Sequence, residues 1–325
     1  MRLIAEFCQN HNGDFDTLLR MVDAAAEGGA THAKVQTIFA DDVAFRDRFE
    51  QGQTDPDGTV NTIKRPYQAE VERLRGLELS YEQQRRFVDA CRAAGLEPLT
   101  TAFNLTCIPH ISELGWSSVK VASYDCGSLP LIEALAARFQ EIILSTGASY
   151  DHEIEAAATY LRDRGTRFSL LHCVTIYPTP LADMNLARLN YLRNLCPSVG
   201  LSDHSLVARD GVKAALAAIH LGADTIERHF TVLAPDQSRD GPVSIRKEHL
   251  RQIRDFASLS HDDQKHVIDT EIPEFSAMIG AASRPLSHAE LVNRDYYRGR
   301  FCNKVDGQQV FNWEDGARMV LARAG

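Results

Sequence analysis

Two histidines stand in similar settings along the chain. His204 follows Asp203 in GLSDHS (200–205), and His229 lies two positions after Glu227 in IERHFT (226–231). A histidine buried only for packing needs no neighbouring acid, and the repeat of the pattern points to paired ligands for a divalent cation, with water or substrate completing the shell. Asp203 and Glu227 would then orient imidazoles or substrate hydroxyls. Elsewhere Lys34 and Lys120 lie in KVQ and SVKVAS, and hydroxyls occur at Thr101, Ser123, Ser145, Thr175 and Ser202. Ammonium groups flanked by hydroxyls form an anion site that suits phosphate oxygens. A phosphate site beside a metal serves a phosphorylated substrate joined to, or split from, a carbonyl compound that the metal polarises.

Such residues must be brought together by elements that end at one place. The chain alternates short apolar or β-branched runs with longer amphipathic ones: LIAEFCQ (3–9), HAKVQTI (32–38), EPLTTAF (97–103), SVKVAS (118–123), EIILSTG (141–147), RFSLLHCV (167–174), SVGLSD (198–203) and TIERHFT (225–231) are the strand candidates. Eight strands alternating with helices over roughly 250 residues predict a (β/α)8 TIM barrel, an α/β fold whose catalytic residues gather at the C-terminal ends of the strands. A doubly wound sheet fits less well, since no GxGxxG follows the first strand. Because side chains alternate along a strand, Lys34 and Gln36 share a face, as do Glu227 and His229, and both pairs can point into the barrel mouth.

The predicted organisation is a catalytic barrel over 1–260 and a short C-terminal extension over 261–325. The long polar connection at 39–66 is read as a lid over the catalytic face. The tail arginines Arg294, Arg298 and Arg300 are read as a solvated basic face, and His172 stands evenly between core and site.

The 325 residues are 44% hydrophobic and 24% charged, ordinary for a globular chain with a large core. A net charge of -9 without acidic or basic blocks gives no reason to expect nucleic acid or a membrane surface as partner. Seven cysteines form no CxxC pair and are odd in number, so they read as reduced core residues. With no apolar run of 18 residues, the expected location is the cytoplasm.

Seven motifs in register resemble the N-acetylneuraminate (sialic acid) synthase family: NHNG after the first strand, KVQT in the second, KVAS in the fourth, LSTG in the fifth, LLHCVTIYPTP in the sixth, GLSDHS in the seventh and IERHFT in the eighth. The resemblance implies a TIM-barrel transferase of carbohydrate biosynthesis. It would condense phosphoenolpyruvate with an aldose such as N-acetylmannosamine, with Mn2+ or Mg2+, releasing phosphate and a 2-keto-3-deoxy sugar acid. Carried over by position, His204 and His229 match the metal ligands, and Lys34, Thr101, Lys120, Ser123, Ser145 and Ser202 match phosphoenolpyruvate contacts. Gln36, Asp125 and Tyr177 match positions near the acceptor or the reacting centre, and Glu227 is added as a catalytic carboxylate. Asn10, His11, Asp203 and Asp240 are assigned to the acceptor. The resemblance also implies a homodimer.

The chain departs from the family pattern in four places. SYD replaces the usual SGE, which makes Asp125 one methylene shorter than the family's Glu. Thr175 stands where some members have an Asn, and DQSRDGPVSI moves the acid after the eighth strand to Asp240. The tail holds ELVNRDYYRGRF, similar to the entry of the family's antifreeze-like domain, but too few residues follow to complete it. These departures bear on the acceptor. A metal-dependent aldolase or sugar isomerase, or a non-catalytic sugar-binding barrel, remains an alternative on the same fold.

Overall fold

The β-branched and apolar runs form strands within a residue or two of expectation. In the computed structural model, which describes residues 1–323, they are β1 (Arg2–Cys8), β2 (His32–Thr37), β3 (Glu97–Ala102), β4 (Ser118–Val121), β5 (Glu141–Ser145), β6 (Arg167–Cys173), β7 (Val199–Asp203) and β8 (Thr225–His229). All pair in parallel, and β1 closes the barrel by pairing with both β2 and β8. The fold is a (β/α)8 barrel.

Alternation along the strands builds two cores. Ile4, Leu99, Ile143 and Leu171 point inward and fill the barrel floor. Their out-of-phase neighbours, among them Leu3, Ala5, Val35, Val119, Leu144 and Leu170, pack against the helices. Gly200 lies on the inward face of β7. A Cβ there would run into the Thr225 carbonyl and come within 2.8 Å of Leu171 Cδ2, so glycine lets neighbouring strands close over the floor. Two residues beyond Ile4, Leu99, Ile143 and Gly200 the inward face turns polar, at Glu6, Thr101, Ser145 and Ser202. That change marks the mouth.

The helices carry local start and stop signals. Asp14 caps Phe15–Gly28 by accepting from the Asp16 N–H, and Gly29 ends that helix at φ 83°. Ser80 and Gln83 form a capping box at Tyr81–Ala93.

The two segments outside the barrel repeat correct the lid expectation. Residues 39–66 form a short helix, Arg48–Gln51, and a small hairpin pairing Gln53–Thr54 with Val60–Thr62, and none of them lines the mouth. The tail covers it instead: helix His288–Tyr297 brings Asn293 and Tyr297 to the mouth, and Arg300 and Phe301 follow. Residues 39–66 act as a strap on that tail. Arg46 donates to the carbonyls of Asp295 (3.2 Å), Tyr296 and Arg298 (3.1 Å), and Ala44 N–H donates to Arg300 O (2.9 Å). The physical reason is apolar. Ile38, Ala40 and Val43 bury themselves with Val71, Leu74 and Phe301, while Phe49 meets Tyr296 edge-on at 5.1 Å. On either side of the 288–301 segment, Ile268, Ile272, Met278 and Ala317 join the main core, so the extension packs on the barrel.

Candidate active site

The mouth is a cavity of about 420 Å³. Its base is a ring of inward side chains from seven of the eight strands: Glu6, Lys34, Thr101, Lys120, Ser145, Ser202 and Glu227. Glu227 sits at the centre. Its Oε1 accepts from Lys120 Nζ (3.1 Å) and Ser202 Oγ (2.9 Å), and Lys34 Nζ lies 3.6 Å from its Oε2. Lys34 also pairs with Glu6 and donates to Thr101 Oγ1 at 3.2 Å. Burial pushes the Glu227 carboxyl up, but Lys120 and Lys34 more than offset this and hold it well below the usual carboxylate range. Burial lowers Lys34, and Lys120 adds to that while Glu227 opposes it.

Several buried polar atoms in this mouth make no hydrogen bond. Ser145 Oγ, Thr175 Oγ1, Glu227 Oε2 and His229 Nδ1 are buried without a hydrogen bond. Buried polar atoms are normally satisfied, and a cluster left open in one cavity is the mark of a ligand site.

Above the lysines stand the two histidines, with ring centroids 5.3 Å apart, and the Tyr177 ring lies 4.0 Å from His204. Tyr177 is 47% exposed and forms part of the rim. Burial lowers both imidazoles, with each histidine's cationic neighbours contributing, which keeps them neutral as metal ligation requires. His229 Nδ1 is 3.7 Å from Asp240 Oδ2. Unpaired His229 Nδ1 beside a carboxylate fits a divalent cation, so this corner of the mouth can hold one.

Asp125 lies on the opposite side. Burial pushes its carboxyl up to about 6, against the opposing donation of Asn312 Nδ2 and Ser128 Oγ, each 3.0 Å from Oδ1. Gln36, Ser123, Thr175 and Asp240 complete the predicted residues that line the cavity.

Three predicted residues do not line it. Asp203 occupies the outward phase of β7, because the alternation that turns Ser202 inward turns Asp203 toward the helices, where it pairs with Arg228. Asn10 donates to Phe230 O (3.0 Å) and Ser244 Oγ (2.9 Å), and its Oδ1 accepts from Ser238 Oγ (2.8 Å). His11 accepts from Gly13 N–H at 3.1 Å, and burial lowers it to about 4. These two shape loops. His172 also points outward, against Met184 O at 2.6 Å, and is a core residue.

The tail arginines are not a solvated face. Arg294 is buried between Ala148 O (2.6 Å) and Glu153 (2.5 Å), Arg298 bonds the same carboxylate at 3.1 Å, and Arg300 pairs with Glu70 while lining the mouth. All seven cysteines are buried free thiols, and two of them, Cys8 and Cys173, also line the cavity. Cys8 was legible in principle, being in phase with Ile4 and Glu6 on β1. Arg73, Tyr297 and Asn312 carried no sequence signal, because they reach the site only through the packing of distant segments.

The NeuB family pattern matches residues 21–262 of the chain. This chain belongs to the NeuB family. Over 316 residues it is 29% identical to the N,N'-diacetyllegionaminic acid synthase of Campylobacter jejuni, a match spanning 94% of this chain and 85% of that protein. Among solved structures it resembles the sialic acid synthetase of Leptospira borgpetersenii, determined with citrate, at 25% identity and a TM-score of 0.68 over 90% of both chains. It also resembles the spore coat polysaccharide biosynthesis protein SpsE of Bacillus subtilis, at 26% identity and a TM-score of 0.70 over 91% of this chain and 77% of that one. These NeuB structures have the barrel found here.

Proposed function

We infer that this NeuB-family chain is a phosphoenolpyruvate-dependent synthase that joins the three-carbon unit to an aldose and releases phosphate, giving a sialic acid-like 2-keto-3-deoxy acid. The observation that carries this reading is the pairing, in one mouth, of two buried lysines and unsatisfied hydroxyls with a histidine corner able to hold a cation.

Lys34 and Lys120, fixed by Glu227, would hold the phosphate and carboxylate, with Ser123, Ser145, Thr175 and Ser202 as hydroxyl partners. A divalent cation, with Mn2+ the first to test, would be held by His204 and His229 and would polarise the aldose carbonyl. Gln36 and Tyr177, on the wall and rim, would orient the acceptor so that the phosphoenolpyruvate methylene meets its aldehyde carbon. Water then adds to C2, and Asp125 takes the proton from it; phosphate leaves by C–O cleavage of the tetrahedral intermediate. Asn293, Tyr297 and Arg300 of the tail would close the acceptor side.

A cytoplasmic setting belongs to the same reading, supported by seven buried cysteines that are all free thiols. No described helix is long and apolar enough to cross a membrane. Homodimerisation follows from the family resemblance, and light scattering tests it.

The direct test is inorganic phosphate released from phosphoenolpyruvate with Mn2+ across a panel of N-acetylmannosamine, diacetamido-dideoxy-hexoses and sugar phosphates. Release with one acceptor, abolished by EDTA and restored by added metal, is the expected result. An aldose cleaved or isomerised without phosphoenolpyruvate would overturn it.

A further inference from the structure

The cation corner holds more than histidines. We propose that Cys8 Sγ and the Asp240 carboxylate join His229 Nδ1 as ligands of that cation, making a thiolate-bearing site that favours thiophilic ions such as Co2+, Zn2+ or Cd2+ over Mg2+. This deepens the synthase reading and rests on it, because it takes the same corner of the same mouth as the metal site.

The three donors come from separate segments. Cys8 ends β1, His229 ends β8, which pairs with β1, and Asp240 follows in the loop after β8. Their ligand atoms all lie within 4.8 Å of one another. The 3.7 Å between His229 Nδ1 and Asp240 Oδ2 is too long for a hydrogen bond, yet suits two atoms on either side of an ion with bonds of about 2.0–2.3 Å. His229 is more than nine-tenths buried, and its Nδ1 has no hydrogen-bond partner. An imidazole nitrogen left bare in the interior carries a desolvation cost that a ligand would remove.

The backbone has been bent to present the thiol. Cys8 has φ 47°, a left-handed conformation uncommon outside glycine, and a bulge interrupts the β1–β2 pairing between Glu6 and Cys8. Glu6 Oε1 holds this geometry by accepting the Cys8 N–H at 2.5 Å. Packing alone gives no reason for that cost, whereas such strain concentrates at functional sites. Asp240 is held as well. Asn10 grips Ser238 and Ser244 on either side of it, and Ser244 Oγ donates to the Asp240 carbonyl at 2.6 Å. Outer-shell partners of this kind orient metal ligands.

A thiolate, a carboxylate and an imidazole form a softer donor set than two imidazoles and water, and soft ligands select thiophilic metals over Mg2+. On metal uptake the Cys8 S–H bond is replaced by a sulfur–metal bond, and the proton leaves to solvent.

The test is a Co2+ titration of the full chain, read by absorption and calorimetry. Cys8→Gly is the variant of choice, since glycine adopts the positive φ without strain. Cys173→Ser controls for the thiol 3.8 Å from His204 Nδ1. We expect a near-ultraviolet sulfur-to-cobalt charge-transfer band in the wild type and in Cys173→Ser. Cys8→Gly should lose it while still binding Co2+, with affinity weakened by about tenfold or more and a narrower preference for Cd2+ over Mg2+. Wild-type Co2+ binding without the band, or a band that survives Cys8→Gly, overturns the thiolate ligand and leaves the synthase reading standing if phosphate is still released. Absence of binding by Co2+, Cd2+, Mn2+ and Mg2+ alike would sink both.

Discussion

Strands β7 and β8 carry two buried ion pairs one residue out of phase, and the pairs have opposite characters. Facing the helices, fully buried Arg228 donates to Asp203, to Ser205 Oγ (2.7 Å) and to the carbonyls of Ser205 and Val243 (both 3.3 Å). Facing the barrel axis, Glu227 shares Lys34, Lys120 and Ser202, yet its Oε2 has no hydrogen-bond partner and the lysines border a cavity. The outward pair borders no part of the cavity, although Arg228 Nε has no hydrogen-bond partner. The inward one keeps capacity for an anion. Neither burial and charge nor an open polar atom alone therefore identifies a functional group; an open polar atom that faces a cavity does.

The largest expected effect is on the outward pair. Arg228→Leu leaves the Asp203 carboxylate buried without its cation and should cost about 3–5 kcal/mol in urea unfolding, with most of the loss recovered when Asp203→Leu is added. An Arg228→Leu protein of unchanged stability would break the comparison. For the inward pair the prediction is reversed: Lys120→Ala should lower phosphate release by about 100-fold or more and weaken phosphoenolpyruvate binding. Its unfolding midpoint should move far less than that of Arg228→Leu, because Lys34 still faces Glu227. A Lys120→Ala protein destabilised as much as Arg228→Leu, yet releasing phosphate at the wild-type rate, would contradict both assignments.

Asp125 supplies a pH test. Its folded-state value, about 6, lies above its ordinary 3.8. The native protein thus keeps a proton that the unfolded chain has already lost. The associated stability is present below about 3.8 and lost as pH rises through about 6, and Asp125→Asn should flatten that stretch of the stability curve. If the carboxylate accepts a proton from water, phosphate release should rise through the same window and lose that limb in Asp125→Asn. Asn312→Ala removes a donor that favours the carboxylate, so the limb should move to higher pH with a few-fold change in rate. An unshifted profile would reduce Asn312 to a packing residue.

The smallest effect concerns the strap. Arg46→Ala removes the contacts to three tail carbonyls and should speed hydrogen exchange across 288–301 while raising the acceptor KM a few-fold, with little change in kcat. Equal exchange in both proteins would show that the apolar cluster alone holds the tail.

Much of this site was legible because a strand repeats every two residues. Lys34, Gln36, Thr101, Lys120, Ser145, Ser202, Glu227 and His229 sit at strand ends in the inward phase, and they line the mouth. The same rule, applied residue by residue, would have removed Asp203 from the site and brought Cys8 into it. Grouping Asp203 with His204 by adjacency in sequence obscured the change of face. No such rule reaches Asn312, which donates to Asp125 from 187 positions away, or Arg46, which grips Asp295 across 249.

The sequence by itself determined the eight strands, their closure into a barrel and the ring of polar groups at its mouth, since hydrophobic periodicity is a local property that every residue of a strand reports. Only the tertiary structure decided that the tail covers the mouth, that residues 39–66 hold the tail down, and that Cys8, His229 and Asp240 converge. Those outcomes depend on complementary apolar surfaces and single hydrogen bonds between segments far apart in the chain, and no short-range pattern encodes which distant surface a segment will meet.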